Sequence, residues 1–94
     1  FYKEGIVNMY SGNIELAFKR FKDITDYYQD TPWFIPSWFW QGQILAKQER
    51  YIQAGKKLNM FLDLIEENNV ASTYFDFKNM SLYTLAWLSL KQKK

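Results

Sequence analysis

Apolar residues recur along this chain in steps of three and four. Across 13–29 they are Ile14, Leu16, Ala17, Phe18, Phe21, Ile24, Tyr27 and Tyr28. Such steps lay one apolar stripe along a helix of 3.6 residues per turn. Ser11-Gly12 makes a turn pair before this stretch, Asn13 is placed to cap it, and Glu15 falls in the first turn, where a negative charge suits the helix dipole. The stretch 51–68 repeats the scheme with Ile52, Leu58, Phe61, Leu62 and Ile65, and Asn68-Asn69 marks its stop. Shorter helical pieces, 1–10 and 37–49, precede each of these. A last helix is predicted over about 79–92, carrying Met80, Leu82, Tyr83, Leu85, Ala86, Leu88 and Leu90. Pro32 and Pro36 mark the clearest break, because proline disfavours helix at the residue before it. Nothing alternates with period two for long enough to make a sheet. The pattern therefore predicts an all-α chain of five helices: a hairpin at about 1–30, a second at about 37–68, and a final helix. Longer links are expected at 31–36 and 70–77.

The same text also repeats itself. Gly5, Ala17, Phe21 and Ile24 are followed 37 residues later by Gly42, Ala54, Leu58 and Phe61. Phe1 becomes Trp38 and Ile14 becomes Tyr51; only Gly12 against Glu49, at a turn, breaks the correspondence. Antiparallel helices approach closely only where a side chain is small. Gly5 is thus expected to face Ala17, and Gly42 to face Ala54. Phe1, Phe21, Trp38 and Leu58 are expected to fill the space between hairpins. One hairpin cannot bury both its faces, so hairpins stack.

The ordered recurrence of a bulky residue, a small residue, a turn, Ala and an aromatic resembles the tetratricopeptide repeat family. The stretches that carry it are FYKEGIVNMYSGNIELAFKRFKDI and WFWQGQILAKQERYIQAGKKLNMF. LYTLAWLSLKQ is a third, partial match, with Leu82 and Ala86 in the places of Trp38 and Gly42. The resemblance covers about two and a half repeats. It implies a helical-hairpin solenoid that acts as a protein–protein interaction scaffold. The repeat intervals of 37 and 44 residues exceed the family's usual unit of about 34. Ile24 and Phe61 also stand where the family places a small residue. Text such as PSWFWQGQ is similar to long-repeat bacterial envelope members: outer-membrane assembly lipoproteins, Tol–Pal coordinators and flagellar-motor-associated scaffolds. That likeness implies a periplasmic or envelope-associated setting, with a cytoplasmic one left open. The chain reads as a fragment of a longer protein.

In such a solenoid the first helix of each hairpin lines a concave groove. The residues opposite Gly5, Gly42 and Ala86 are expected to form it: Tyr2, Ile6, Met9 and Tyr10, then Phe39, Gln43, Ala46 and Lys47, then Tyr83, Trp87 and Leu90. This surface is aromatic and apolar, suited to a peptide or helix of a protein partner. The plainer alternative is that further repeats, or a C-terminal helix, cover it. Some tetratricopeptide proteins clamp a C-terminal carboxylate with Lys and Asn. The matching positions here hold Tyr2, Ile6, Trp40, Met80 and Thr84, so no such clamp is expected.

Composition narrows the remaining classes. The chain has 94 residues, 20% of them aromatic, with a formal charge of +2. That is too much large apolar surface for disorder and too little charge for a phosphate-seeking surface. Cys and His are absent. Thiolate metal sites, disulfides and His-dependent nucleophiles are thereby removed. Trp33, Trp38 and Trp40 could stack on a sugar or another small ligand, and this is the main alternative function. They lack the interleaved basic residues of a single-strand binder, so no nucleic acid is expected. Glu66 and Glu67 are adjacent and diverge on a helix; Asp23, Asp26 and Asp30 share a face but read as solvated. No catalytic residue, metal or cofactor is expected. No apolar run is long enough to cross a bilayer. Lys91, Lys93 and Lys94 form a basic end that suits a helix C-terminus. Self-association through the aromatic surface is a further expectation.

Overall fold

The computed structural model describes residues 1–93 as five helices. They are α1 (Tyr2–Tyr10), α2 (Ile14–Tyr27), α3 (Phe34–Lys47), α4 (Tyr51–Glu67) and α5 (Phe75–Gln92). No strand occurs among the described residues. Consecutive helices pack as antiparallel hairpins, and α3 also packs against α5, giving a slab of 39 × 32 × 20 Å. This is the all-α hairpin stack that the pattern predicts. Lys94, one of the three lysines of the basic end, lies outside the described residues.

Two helices begin earlier than the sequence suggests. α3 starts at Phe34, so Pro36 is its third residue. A helix's first turn has no backbone acceptor for its N–H groups, and proline's missing N–H costs nothing there. α5 starts at Phe75 and shortens the expected 70–77 link. Asn13 does occupy the residue before α2, but its side chain makes no capping hydrogen bond.

The 37-residue repeat is present in the turns as well as in the helices. α1 ends with Asn13 N–H donating to Asn8 O at 2.8 Å and Gly12 N–H to Met9 O at 3.3 Å. α3 ends with Arg50 N–H donating to Leu45 O at 2.9 Å and Glu49 N–H to Ala46 O at 3.1 Å. α4 closes the same way through Val70 and Asn69. Each is a Schellman stop, whose key residue sits in the left-handed region. Those residues are Gly12 (φ 89°), Glu49 (φ 63°) and Asn69 (φ 56°). The apparent mismatch of Gly12 with Glu49 is therefore a match in conformation.

The glycines do mark close approach, but one helical turn away from the expected partner. A methyl on Gly5 would lie 2.8 Å from the Phe21 ring, and one on Gly42 would lie 2.5 Å from Leu58 Cδ2. Phe21 and Leu58, expected between hairpins, fill the notch within each hairpin, and Phe21 also reaches the next hairpin at Ile44 and Trp40. Ala17 and Ala54 are fully buried beside them. The main core comprises Phe39, Leu45, Ala54, Leu58, Phe61, Ile65 and Leu88. A smaller cluster of Ala17, Phe21 and Ile44 joins α1, α2 and α3. Gln41 is buried between hairpins and donates Nε2–H to Phe21 O at 3.1 Å and to Thr25 Oγ1 at 2.9 Å.

Successive first helices are joined by stacked aromatic rings. Tyr2 stacks on Trp33 with centroids 5.1 Å apart and planes 17° apart. Phe39 stacks on Phe77 at 4.3 Å and 7°. Tyr2 and Phe39 differ by the first repeat interval, and Trp33 and Phe77 by the second. The serines one turn further on repeat too: Ser37 Oγ donates to Trp33 O at 2.7 Å, and Ser81 Oγ to Phe77 O at 2.8 Å. Both serines are fully buried.

Candidate interaction groove

The residues projected into a groove fall into three settings. Tyr2, Ile6 and Met9 are half-buried and pack on the Ala17–Phe21–Ile44 cluster. Tyr2 is a bridge between helices: its hydroxyl accepts the Trp40 Nε1–H bond at 2.7 Å, and its ring meets Phe21 edge-on. Burial pushes the Tyr2 phenol above its ordinary pKa, the Trp40 hydrogen bond opposing that shift. Phe39 is 0% exposed and cannot line a groove. It lies three residues before Gly42, on the glycine's own helix face, and α5 covers it through Phe77. Tyr10, Tyr83 and Leu90 are exposed, at 80%, 77% and 67%.

The C-terminal halves of α3 and α5 hold a shallow cavity of about 230 Å³, lined by Gln43, Ala46, Lys47, Tyr83, Thr84 and Trp87. Gln43, Tyr83 and Trp87 thus come together across two helices. The Gln43 amide and Thr84 hydroxyl pair on its floor, Nε2 donating to Oγ1 at 3.1 Å. Trp87 forms a wall, held edge-on by Tyr51, with Lys91 Nζ 5.4 Å from its ring centroid. Lys47 supplies the one charge in the lining.

A larger cavity of about 590 Å³ lies at the other end of these helices. Tyr2, Trp33, Pro36, Tyr74, Phe75 and Asp76 contribute to it. The two links meet here, a juxtaposition that helical periodicity does not encode. Burial also pushes the Tyr74 phenol up.

The tryptophans do not converge on one surface. Trp33 stands at the larger cavity, whereas Trp40 is wedged among Phe21, Phe39 and Phe77. Trp38 faces Lys57, whose Nζ sits 4.8 Å from its ring centroid. Of the acidic residues, Asp26 pairs with Lys22 at 2.6 Å and Asp23 lies 3.9 Å from Arg20. Among the described residues no three acidic side chains gather as metal ligands would. No helix among them is long and apolar enough to cross a membrane. The chain matches no protein-family profile, no curated protein and no solved structure.

Proposed function

We propose that this chain is a protein–protein interaction scaffold of the tetratricopeptide type, presenting an apolar aromatic groove to a peptide or helix of a partner. The observation that carries the reading is the α3–α5 cavity, where Tyr83 and Trp87 stand exposed beside the Gln43–Thr84 pair. Aromatic walls around a few polar groups suit an amphipathic segment: rings hold its apolar side, and amide and hydroxyl fix its register. The stacked hairpins keep the walls rigid, so little order need be lost on binding. The likeness to long-repeat envelope proteins supports a place in a bacterial envelope or motor-associated assembly.

The test is a peptide-display selection on the chain, followed by Tyr83→Ala and Trp87→Ala. Loss of binding by about 2 kcal/mol or more per variant, at unchanged helicity, is expected. Selected peptides that bind both variants at full strength would sink the groove. A second reading, small-ligand binding, is favoured by the larger cavity at Trp33. Saturable quenching of tryptophan fluorescence by sugars, abolished in Trp33→Ala, is its signature.

A further inference from the structure

The net charge of +2 is not spread evenly over the surface. Along the chain no basic residue stands between Lys22 and Lys47, so Trp38 has none beside it. The fold brings them to it. Lys22 comes from α2, Arg50 from the turn before α4, and Lys56 and Lys57 from α4. All four line one recess of about 460 Å³ together with Trp38, and no acidic side chain lines it.

The recess is apolar inside and charged at its rim. Leu45 is buried and Phe18 and Trp38 are half-buried, whereas Lys22, Arg50 and Lys56 are exposed. Lys57 links the two zones, with Nζ 4.8 Å from the Trp38 ring centroid. Burial, and after it the charge of Lys22, push the Lys57 ammonium below its ordinary pKa, with Asp26 opposing them. Asp26 is itself engaged, its carboxylate lying 2.6 Å from Lys22 Nζ. Among the described residues, Arg50, Lys56 and Lys57 make no ion pair. The Trp38 indole N–H is enclosed and meets no acceptor. α4 starts beside Arg50 with no side-chain cap, and a bare helix N-terminus adds potential of the same sign. The site thus gathers positive charge and N–H donors around an apolar floor, with no lining carboxylate to answer them.

We propose that this recess binds a soluble phosphate monoester that carries an apolar body. Three amines and a guanidinium exceed what one carboxylate needs and match a phosphate dianion, which the guanidinium fork can grip through two oxygens. Phe18, Trp38 and Leu45 take the body, and a recess of this size suits a small molecule. A nucleic-acid strand is held by rings and charges set out along a track, whereas here the cations close on a single hollow. A bilayer is met by apolar side chains that project past the charges; here they lie behind them. The recess shares no lining residue with the α3–α5 cavity or the cavity at Trp33, so it does not depend on the groove's having a partner.

Calorimetric titration of the 94-residue chain with hexyl phosphate at low salt tests the site. Saturable one-to-one binding is expected, about tenfold or more tighter than for inorganic phosphate because the alkyl chain leaves water. Hexanol, which lacks the charge, should not bind, and added salt should weaken the phosphate ester. Lys57→Gln and Arg50→Gln should each weaken binding several-fold while far-ultraviolet circular dichroism keeps its helical signal. Using both guards against a folding defect at half-buried Lys57. Lys19→Gln, exposed on α2 and outside the lining, should bind as the parent does. Binding should also shift tryptophan emission, and Trp38→Phe should remove that shift. Failure to bind hexyl phosphate would overturn the proposal. So would equal binding of inorganic phosphate, or binding that survives both Lys57→Gln and Arg50→Gln. Phosphatidylserine vesicles bound in place of hexyl phosphate would give the rim to a membrane, and a tighter-binding thymidine oligonucleotide would give it to a nucleic acid; either result would overturn the small-molecule site.

Discussion

At the scale of single residues, the left-handed stops carry the clearest energetic consequence. An L-residue in that region costs roughly 1–2 kcal/mol, which glycine avoids. Glu49 bears this cost where Gly12 does not. Glu49→Gly should therefore raise stability by about 1 kcal/mol, read as a higher urea midpoint with unchanged slope. Tyr2 gives a prediction in pH. Its folded pKa lies above the ordinary 10.0 because burial disfavours the phenolate. Below pH 10 both folded and unfolded phenols are neutral, so the stabilising difference is fully present. As pH rises past 10 the unfolded chain ionises first, and stability falls until the folded phenol ionises too. Tyr2→Phe should lower stability at neutral pH, through loss of the Trp40 hydrogen bond, yet flatten the alkaline fall. Urea titrations across that range would show it.

At the scale of elements, helix-to-helix distance is set at Gly5 and Gly42. Gly42→Ala gains up to about 1 kcal/mol of helix propensity, but its methyl overlaps Leu58, and overpacking costs about 1–3 kcal/mol. Net destabilisation is expected. Leu58→Ala opens a cavity in the wild-type chain, and the double variant should be less destabilised than the two single losses added together. Additive losses in a double-mutant cycle would show that the two residues do not share this notch. The small residues and their repeat interval were legible in the sequence because close packing leaves no other choice there. Their partners were less so. Ala17 and Phe21 lie one turn apart on the same face, and periodicity alone does not say which of them stands over Gly5. Phe39 is no groove residue because it shares Gly42's face of α3, which their three-residue spacing already encodes; what the sequence does not announce is Phe77, which covers it from 38 residues away. Gln43, Tyr83 and Trp87 were placed on facing helices from the repeat alone, whereas the larger cavity depends on two links whose meeting is a long-range event.

At the scale of the whole molecule, the two roles of aromatic residues separate. Phe39→Ala should cost about 3–5 kcal/mol of folding stability, since it empties the centre of the main core. Tyr83→Ala should leave the thermal midpoint nearly unchanged, because most of that ring already faces water. Thermal unfolding of the two variants side by side checks this contrast. The second repeat interval is seven residues longer than the first, yet both ring-to-ring joints are parallel stacks. The surplus is distributed along the end of α4 and the start of α5, which overshoot their counterparts by most of a turn each. That overshoot is the masonry of the larger cavity: Tyr74, Phe75 and Asp76 stand on it. Chain length has been added where it makes a hollow, so trimming the second unit to the length of the first should shrink that hollow while the Phe39–Phe77 joint persists.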